Sequence, residues 1–346
     1  MAAAKSDPHA YVLPIAESQR IFDRDIVPAE LGSLGSSKTT DGNIKPVAVF
    51  VVGQTGAGKT RTAPAIKAVM QSRRGQPAHF IADTYKTYHP AYPRLVVEAP
   101  ALASPATGTD ARRWLAMAAE HAIGRGIDVL LESACRNPAD FADLAQAFHD
   151  AGYRVEVAIM AVPEGLSRLG ILTRFYERLP EAGSRNLPPR LTPTKVHNES
   201  YEGLLDAAIF VDESSAVDQI VVVRRDNMVA YANERVNGSW KRAAATRKSL
   251  MEQRECCLPK ELSIAKTNIE KLRCVSFSEL PPQLEEIESL LGPMMDEINN
   301  THTPPLRLLA LPDIGGAGHS CDVNLDLTLG LVADNQRYRV SHRISS

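Results

Sequence analysis

An α/β fold, with a mostly parallel sheet covered by helices on both faces in the manner of P-loop kinases, is what the sequence predicts, and three observations predict it. Apolar runs of strand length alternate with helix-length runs from residue 46 to about residue 225. The strand runs, such as "PVAVFVV" and "RVEVAIMAV", are apolar throughout, as strands buried on both faces must be. A glycine-rich octapeptide, "GQTGAGKT", follows the first of them and leads into a helix.

Each element follows from local pattern. Residues 14–27 place Ile15, Phe22 and Ile26 at helical spacing, and "ELGSLGSSKTTDGN" then breaks the pattern with glycine and serine. Residues 1–45 therefore read as an N-terminal helix and a flexible loop, with residues 10–30 packing on the core. The strand at 46–52 leads to a helix from Lys59 to about Ser72, then to the strand "AHFIAD" and a helix across "ARRWLAMAAEHAIG". Next come the strand "IDVLLES", a helix through "PADFADLAQAFHDAG" and the strand "RVEVAIMAV". A helix at "PEGLSRLGILTRFYERL", an Arg- and Pro-rich loop, a helix at "VHNESYEGLLDAAIF" and a last strand at "QIVVVRR" complete a core over residues 46–238. Residues 239–346 form an extension, helical and charged to about residue 300, then irregular, with alternation fit for a β-hairpin in "VNLDLTLGLV" and "RYRVSHRI".

Bulk composition narrows the class. A chain of 346 residues suffices for one large domain with an appendage, and a formal net charge of -2 argues against duplex nucleic acid as the main partner. The five cysteines form neither a CxxC pair nor an evenly spaced framework, which fits a reducing cytosol. The first twenty residues lack an apolar signal core, and no window approaches the ~20 apolar residues of a membrane span. The expectation is a cytoplasmic protein with no membrane partner.

The octapeptide carries the chemistry. Gly53, Gln54, Thr55, Gly56, Ala57, Gly58, Lys59 and Thr60 match G-x-x-x-x-G-K-[ST] between a strand and a helix. In that context the backbone N–H groups wrap a nucleotide's β-phosphate, Lys59 reaches the β- and γ-phosphates, and the Thr60 hydroxyl ligates Mg²⁺. A bland alternative is a structural glycine turn. A dinucleotide fold would want G-x-G-x-x-G and has no use for a Lys-Thr pair. GTPases carry N-K-x-D, which is absent, and many ATPases end a strand in Asp-Glu, whereas the candidate strand here ends "VLLES". An ATP-dependent kinase for a small acceptor is the better reading.

In open α/β sheets ligands bind beyond the carboxyl ends of the strands, so the residues closing each strand are candidates. "AHFIADTYKTYHP" delivers Asp83, which can take an acceptor hydroxyl's proton or serve as an N-cap. "IDVLLESACR" delivers Glu132 and Arg136, as ligands of the acceptor or as a pair with one another. Arg174, Arg178, Arg185 and Arg190 lie on or after one helix, where arginines stabilise transferring phosphate or decorate the surface.

"GQTGAGKT", "DTYKTYHP", "LLESACR", "MAVP" before the helix holding Arg174, and "RLTPTKVHN" come in one order. That order resembles the zeta-toxin family of bacterial P-loop kinases over roughly residues 10–235. The resemblance implies transfer of the ATP γ-phosphate to the 3′-hydroxyl of the amino sugar of UDP-N-acetylglucosamine, which depletes cell-wall precursor. It implies that Asp83 is the base and that Lys59, Arg174 and Arg190 act on the phosphates, with Arg185 as a substitute for Arg190. Glu132 and Arg136 would hold the sugar nucleotide, and a small helical antitoxin would obstruct the nucleotide site unless the N-terminal helix or the tail acts in cis. "ESACR" departs from the family's glycine-rich pattern after the glutamate, which puts the acceptor in question, and Cys135 reads as packing.

Overall fold

The computed structural model describes residues 7–32, 34, 45–185, 191–275, 277–278 and 280–296. The described chain begins with a 3-10 turn and helix α1 (Ile15–Ile21), which runs on as a π-helical stretch over Phe22–Leu31. Strand β1 (Val47–Val52) and helix α2 (Lys59–Arg74) flank the octapeptide. Strand β2 (Ala78–Ile81), the short helix α3 (Ala82–Tyr85), α4 (Tyr92–Glu98) and α5 (Pro100–Arg125) lead to β3 (Val129–Ser133). Helix α6 (Pro138–Asp150), β4 (Arg154–Met160), α7 (Glu164–Arg185), α8 (Thr194–Glu213) and β5 (Gln219–Val223) come next. Strands β6 (Val229–Val236) and β7 (Ser239–Trp240) and helices α9 (Thr246–Arg254), α10 (Pro259–Arg273) and α11 (Leu280–Asp296) end the described chain.

The strands lie in the order β2-β3-β1-β4-β5-β6-β7, parallel from β2 to β5 and antiparallel beyond. Alternation along β1 divides the core between the faces. Ala48, Phe50 and Val52 join a cluster with Trp114 of α5, Phe141 and Phe148 of α6 and Leu204 of α8, whereas Val47, Val49 and Val51 meet Ala63, Ile66 and Met70 of α2. Phe50 has its ring centroid 5.5 Å from that of Phe141 and 6.1 Å from that of Phe148, both edge-on. Truncating such a side chain costs about 3–5 kcal/mol.

Two elements differ from the sequence reading. The sheet does not end at "QIVVVRR", because β6 and β7 extend it antiparallel. The signal was present: Asn237 and Gly238 both have positive φ, 52° and 80°, as the Asn-Gly turn of a two-residue hairpin requires. Helix α5 starts eleven residues before the "ARRW" run, across two prolines and a glycine that lower helix propensity. Burial of Ala103, Ala106 and Thr107 overrides that propensity. Residues 239–300 are helical at α9–α11, while the hairpin suggested after residue 300 lies outside the described residues.

The C-terminal helices pack on α7. Leu166, Leu169 and Leu172 share one cluster with Leu262, Ile269, Leu284, Ile287 and Leu291, and Ala57 of the octapeptide belongs to it. Arg168 bonds Glu286 at 2.7 Å. At the end of β5 the buried Arg224 donates to Glu261 and to Gln253, each at 2.6 Å, so the strand end is locked to the extension.

Candidate active site at the carboxyl edge of the sheet

The octapeptide forms a closed loop between β1 and α2. Gly53 N–H donates to the Ser133 carbonyl at 3.0 Å, tying the loop to the end of β3, and the Gln54 amide donates to Val162 O at 2.8 Å. Gly56 has φ +83° and Gly58, the N-cap of α2, has φ +102°. Only glycine adopts these angles without strain. A Cβ on Gly56 would lie 2.0 Å from the Ser167 carbonyl, so the absence of a side chain lets the loop sit on α7.

Lys59 opens α2, and its ammonium donates to the carbonyls of Gly53 and Gln54. Among the described residues no carboxylate bonds it directly. Burial pushes its pKa down to about 8, against the upward pull of Glu132 and Asp83, with Arg174 pushing down. The fields of Glu132, Asp83 and Arg174 thus all reach the Lys59 ammonium. Thr60 is exposed in the first turn of α2. An N-terminal helix end, positive-φ glycines and a desolvated ammonium fit a nucleotide's phosphates, and an exposed hydroxyl beside them fits a hydrated Mg²⁺.

Asp83 is not the closing residue of a strand. It is the second residue of α3, whose N-cap is Ile81. Its carboxylate is largely exposed and accepts from Lys86, whose ammonium also donates to Ser104 Oγ of α5 at 2.8 Å. The "DTYKTYHP" segment is braced by the N-terminal region: Tyr88 donates to Glu30 at 2.8 Å, and His89 Nε2 lies 3.1 Å from the Tyr11 carbonyl. Because His89 Nδ1 accepts from Ala91 N–H, its ring proton sits on Nε2 and donates to Tyr11.

Glu132, the penultimate residue of β3, bonds His79 Nε2 of β2 at 2.9 Å instead of Arg136. Arg136 is exposed and pairs with Glu199 of α8. Arg174 is exposed on α7, and Arg178 and Arg185 lie on the same helix. Arg190 lies outside the described residues. Cys135 is buried with φ +52°, and burial holds its thiol up to about 12, which makes it inert. His79, Lys67 and Lys86 escaped the sequence reading. A histidine in an otherwise apolar strand was the available signal.

A glycine-rich loop on a helix N-terminus, at the carboxyl edge of a parallel sheet, defines a P-loop kinase fold. Residues 33–236, more than half of the chain, match the family model described as Zeta toxin, and the chain belongs to that family of kinases. Toxin PezT of Streptococcus pneumoniae serotype 4 is 27% identical over 187 residues, 54% of this chain and 72% of the relative. A solved structure from the PezAT chromosomal toxin-antitoxin system of Streptococcus pneumoniae shares the fold, with a TM-score of 0.61 at 20% identity over 77% of this chain and 99% of that one. No described helix is long and apolar enough to cross a membrane.

Proposed function

We propose that the protein transfers the γ-phosphate of ATP to the 3′-hydroxyl of the amino sugar of UDP-N-acetylglucosamine. The observation that carries this reading is the phosphate loop itself, with Gly56 and Gly58 at positive φ and the Lys59 ammonium at the start of α2, within the fields of Glu132 and Asp83. The loop's N–H groups and Lys59 hold the triphosphate. Asp83, steadied by Lys86, accepts the acceptor hydroxyl's proton as its oxygen bonds the γ-phosphorus and the bond to the bridging oxygen of ADP breaks. Arg174, with Arg190, offsets charge on the equatorial oxygens, and Glu132 and Arg136 hold the sugar nucleotide. Mg²⁺ held by the Thr60 hydroxyl would neutralise part of the phosphate charge. A small antitoxin is the partner we assign, since a relative of the same fold comes from a toxin-antitoxin system.

Incubation with ATP, Mg²⁺ and a panel of UDP-sugars tests the reading by mass spectrometry. Acceptor-dependent ADP release with a product heavier by one phosphate is expected for UDP-N-acetylglucosamine. Release with a different sugar nucleotide alone would keep the kinase and replace the acceptor, a result that Ser133, Ala134 and Cys135 after Glu132 make worth the panel.

A further inference from the structure

Parallel pairing of β2 with β3 sets His79 opposite Leu130 and Ile81 opposite Glu132. With a side-chain period of two, His79, Leu130 and Glu132 share one face of the sheet, the face that α2 covers. There Lys67, eight residues beyond Lys59 on α2, brings its ammonium 3.4 Å from His79 Nδ1, and His79 Nε2 lies 2.9 Å from Glu132 Oε1. An ammonium has donors only, so Nδ1 must accept and the ring proton must sit on Nε2, where it donates to the carboxylate. The Glu132 side chain is 9% exposed and that of His79 20%, so water competes little for this bond.

We infer that His79 is a positioning residue, locked in its Nε2-protonated tautomer by Lys67, that orients the Glu132 carboxylate for the acceptor. The inference rests on the proposed role of Glu132 as an acceptor ligand. Oε1 is occupied by the imidazole, which fixes the plane of the carboxylate and with it the direction of the other oxygen. Glu132 is also the foremost charge pulling Lys59 toward its protonated form, so the relay from Lys67 through His79 connects the acceptor side to the phosphate side. The arrangement runs from the middle of α2 through β2 to the end of β3. None of it requires contact between His79 and either substrate.

Steady-state kinetics with ATP and UDP-N-acetylglucosamine, together with ¹⁵N-histidine NMR, test it. Glu132→Gln calibrates the reading on which the inference rests: an unchanged acceptor KM there would remove Glu132 from the acceptor site, whatever His79 does. Given a raised KM in that variant, His79→Leu is expected to raise the acceptor KM about tenfold with the ATP KM unmoved, as loss of one charge-assisted hydrogen bond implies. His79→Gln, which keeps an N–H donor, should recover most of that loss. Glu132→Gln combined with His79→Leu should cost no more than Glu132→Gln alone, since both act through one carboxylate. Additive effects, or a rise in both KM values, would overturn the positioning role. Independently of turnover, the ring nitrogens of His79 should show the Nε2-protonated pattern, which weakens in Lys67→Met. An Nδ1-protonated ring would end the proposal.

Discussion

The two edges of the sheet use the same kinds of residue to opposite effect. At the amino edge, Asp128 accepts from Arg74 Nε at 2.7 Å, from Arg74 Nη2 at 3.0 Å and from Val47 N–H at 2.8 Å. Asp218 accepts from Val155 N–H at 2.8 Å, and Arg154 bonds Glu156. Those charges are consumed in stitching strand starts together. At the carboxyl edge the acids are held by third parties, Asp83 by Lys86 and Glu132 by His79, while Lys59 rests on carbonyls. The difference teaches that the amino-edge charges are spent on their neighbours, whereas the Lys59 ammonium rests on carbonyls while the fields of Glu132 and Asp83 still reach it.

Substitutions on the two edges should therefore separate activity from stability. The largest effect belongs to Lys59→Ala: phosphoryl transfer should fall about 10³-fold or more, with no loss of melting temperature, because a desolvated ammonium has been removed. A parallel drop in melting temperature would erase the contrast between the edges. Asp128→Ala should do the reverse, costing about 3–5 kcal/mol in urea denaturation by stranding Arg74, with kcat per folded molecule unchanged. Asp83→Asn should lower kcat about 10²-fold while nucleotide affinity, read by calorimetry, stays as it was.

The depressed Lys59 sets a pH signature with a definite sign. Free enzyme loses this proton near pH 8, whereas bound phosphates restore it, so nucleotide affinity should be full below pH 8 and fall as pH rises beyond it. The slope above that point should be about tenfold per unit, accompanied by proton uptake in calorimetry. A flat profile between pH 7 and pH 9.5 would place Lys59 among ordinary surface lysines. The smallest effect is expected at Arg136→Ala, an exposed ion pair with Glu199 whose loss should cost under about 1 kcal/mol of stability and raise the acceptor KM a few-fold.

Much of this was legible because two periodicities and one octapeptide are local properties of the chain. Continuous apolar runs identified β1, β4 and β5, and "GQTGAGKT" placed Lys59 at the start of a helix. The start of α5 was hidden because Pro100, Pro105 and Gly108 oppose helix locally and only tertiary burial of Ala103 and Ala106 outweighs them. Glu132 was visible as a strand-end acid, but of its two readings there, acceptor ligand or pair with Arg136, the pairing gives way to His79, which becomes a neighbour only when β2 pairs with β3. Relations of that kind are created by register and cannot be read from spacing.

The bracing of "DTYKTYHP" has a practical consequence for anyone cutting the gene. The family model begins at residue 33, but the segment carrying Asp83 leans on Tyr11 and Glu30, and Trp114 donates to the Ser18 carbonyl at 2.9 Å. An expression clone trimmed to the family boundary would discard the buttress and keep Asp83, producing a polypeptide that retains the nucleotide loop yet presents the proposed base on an unsupported turn.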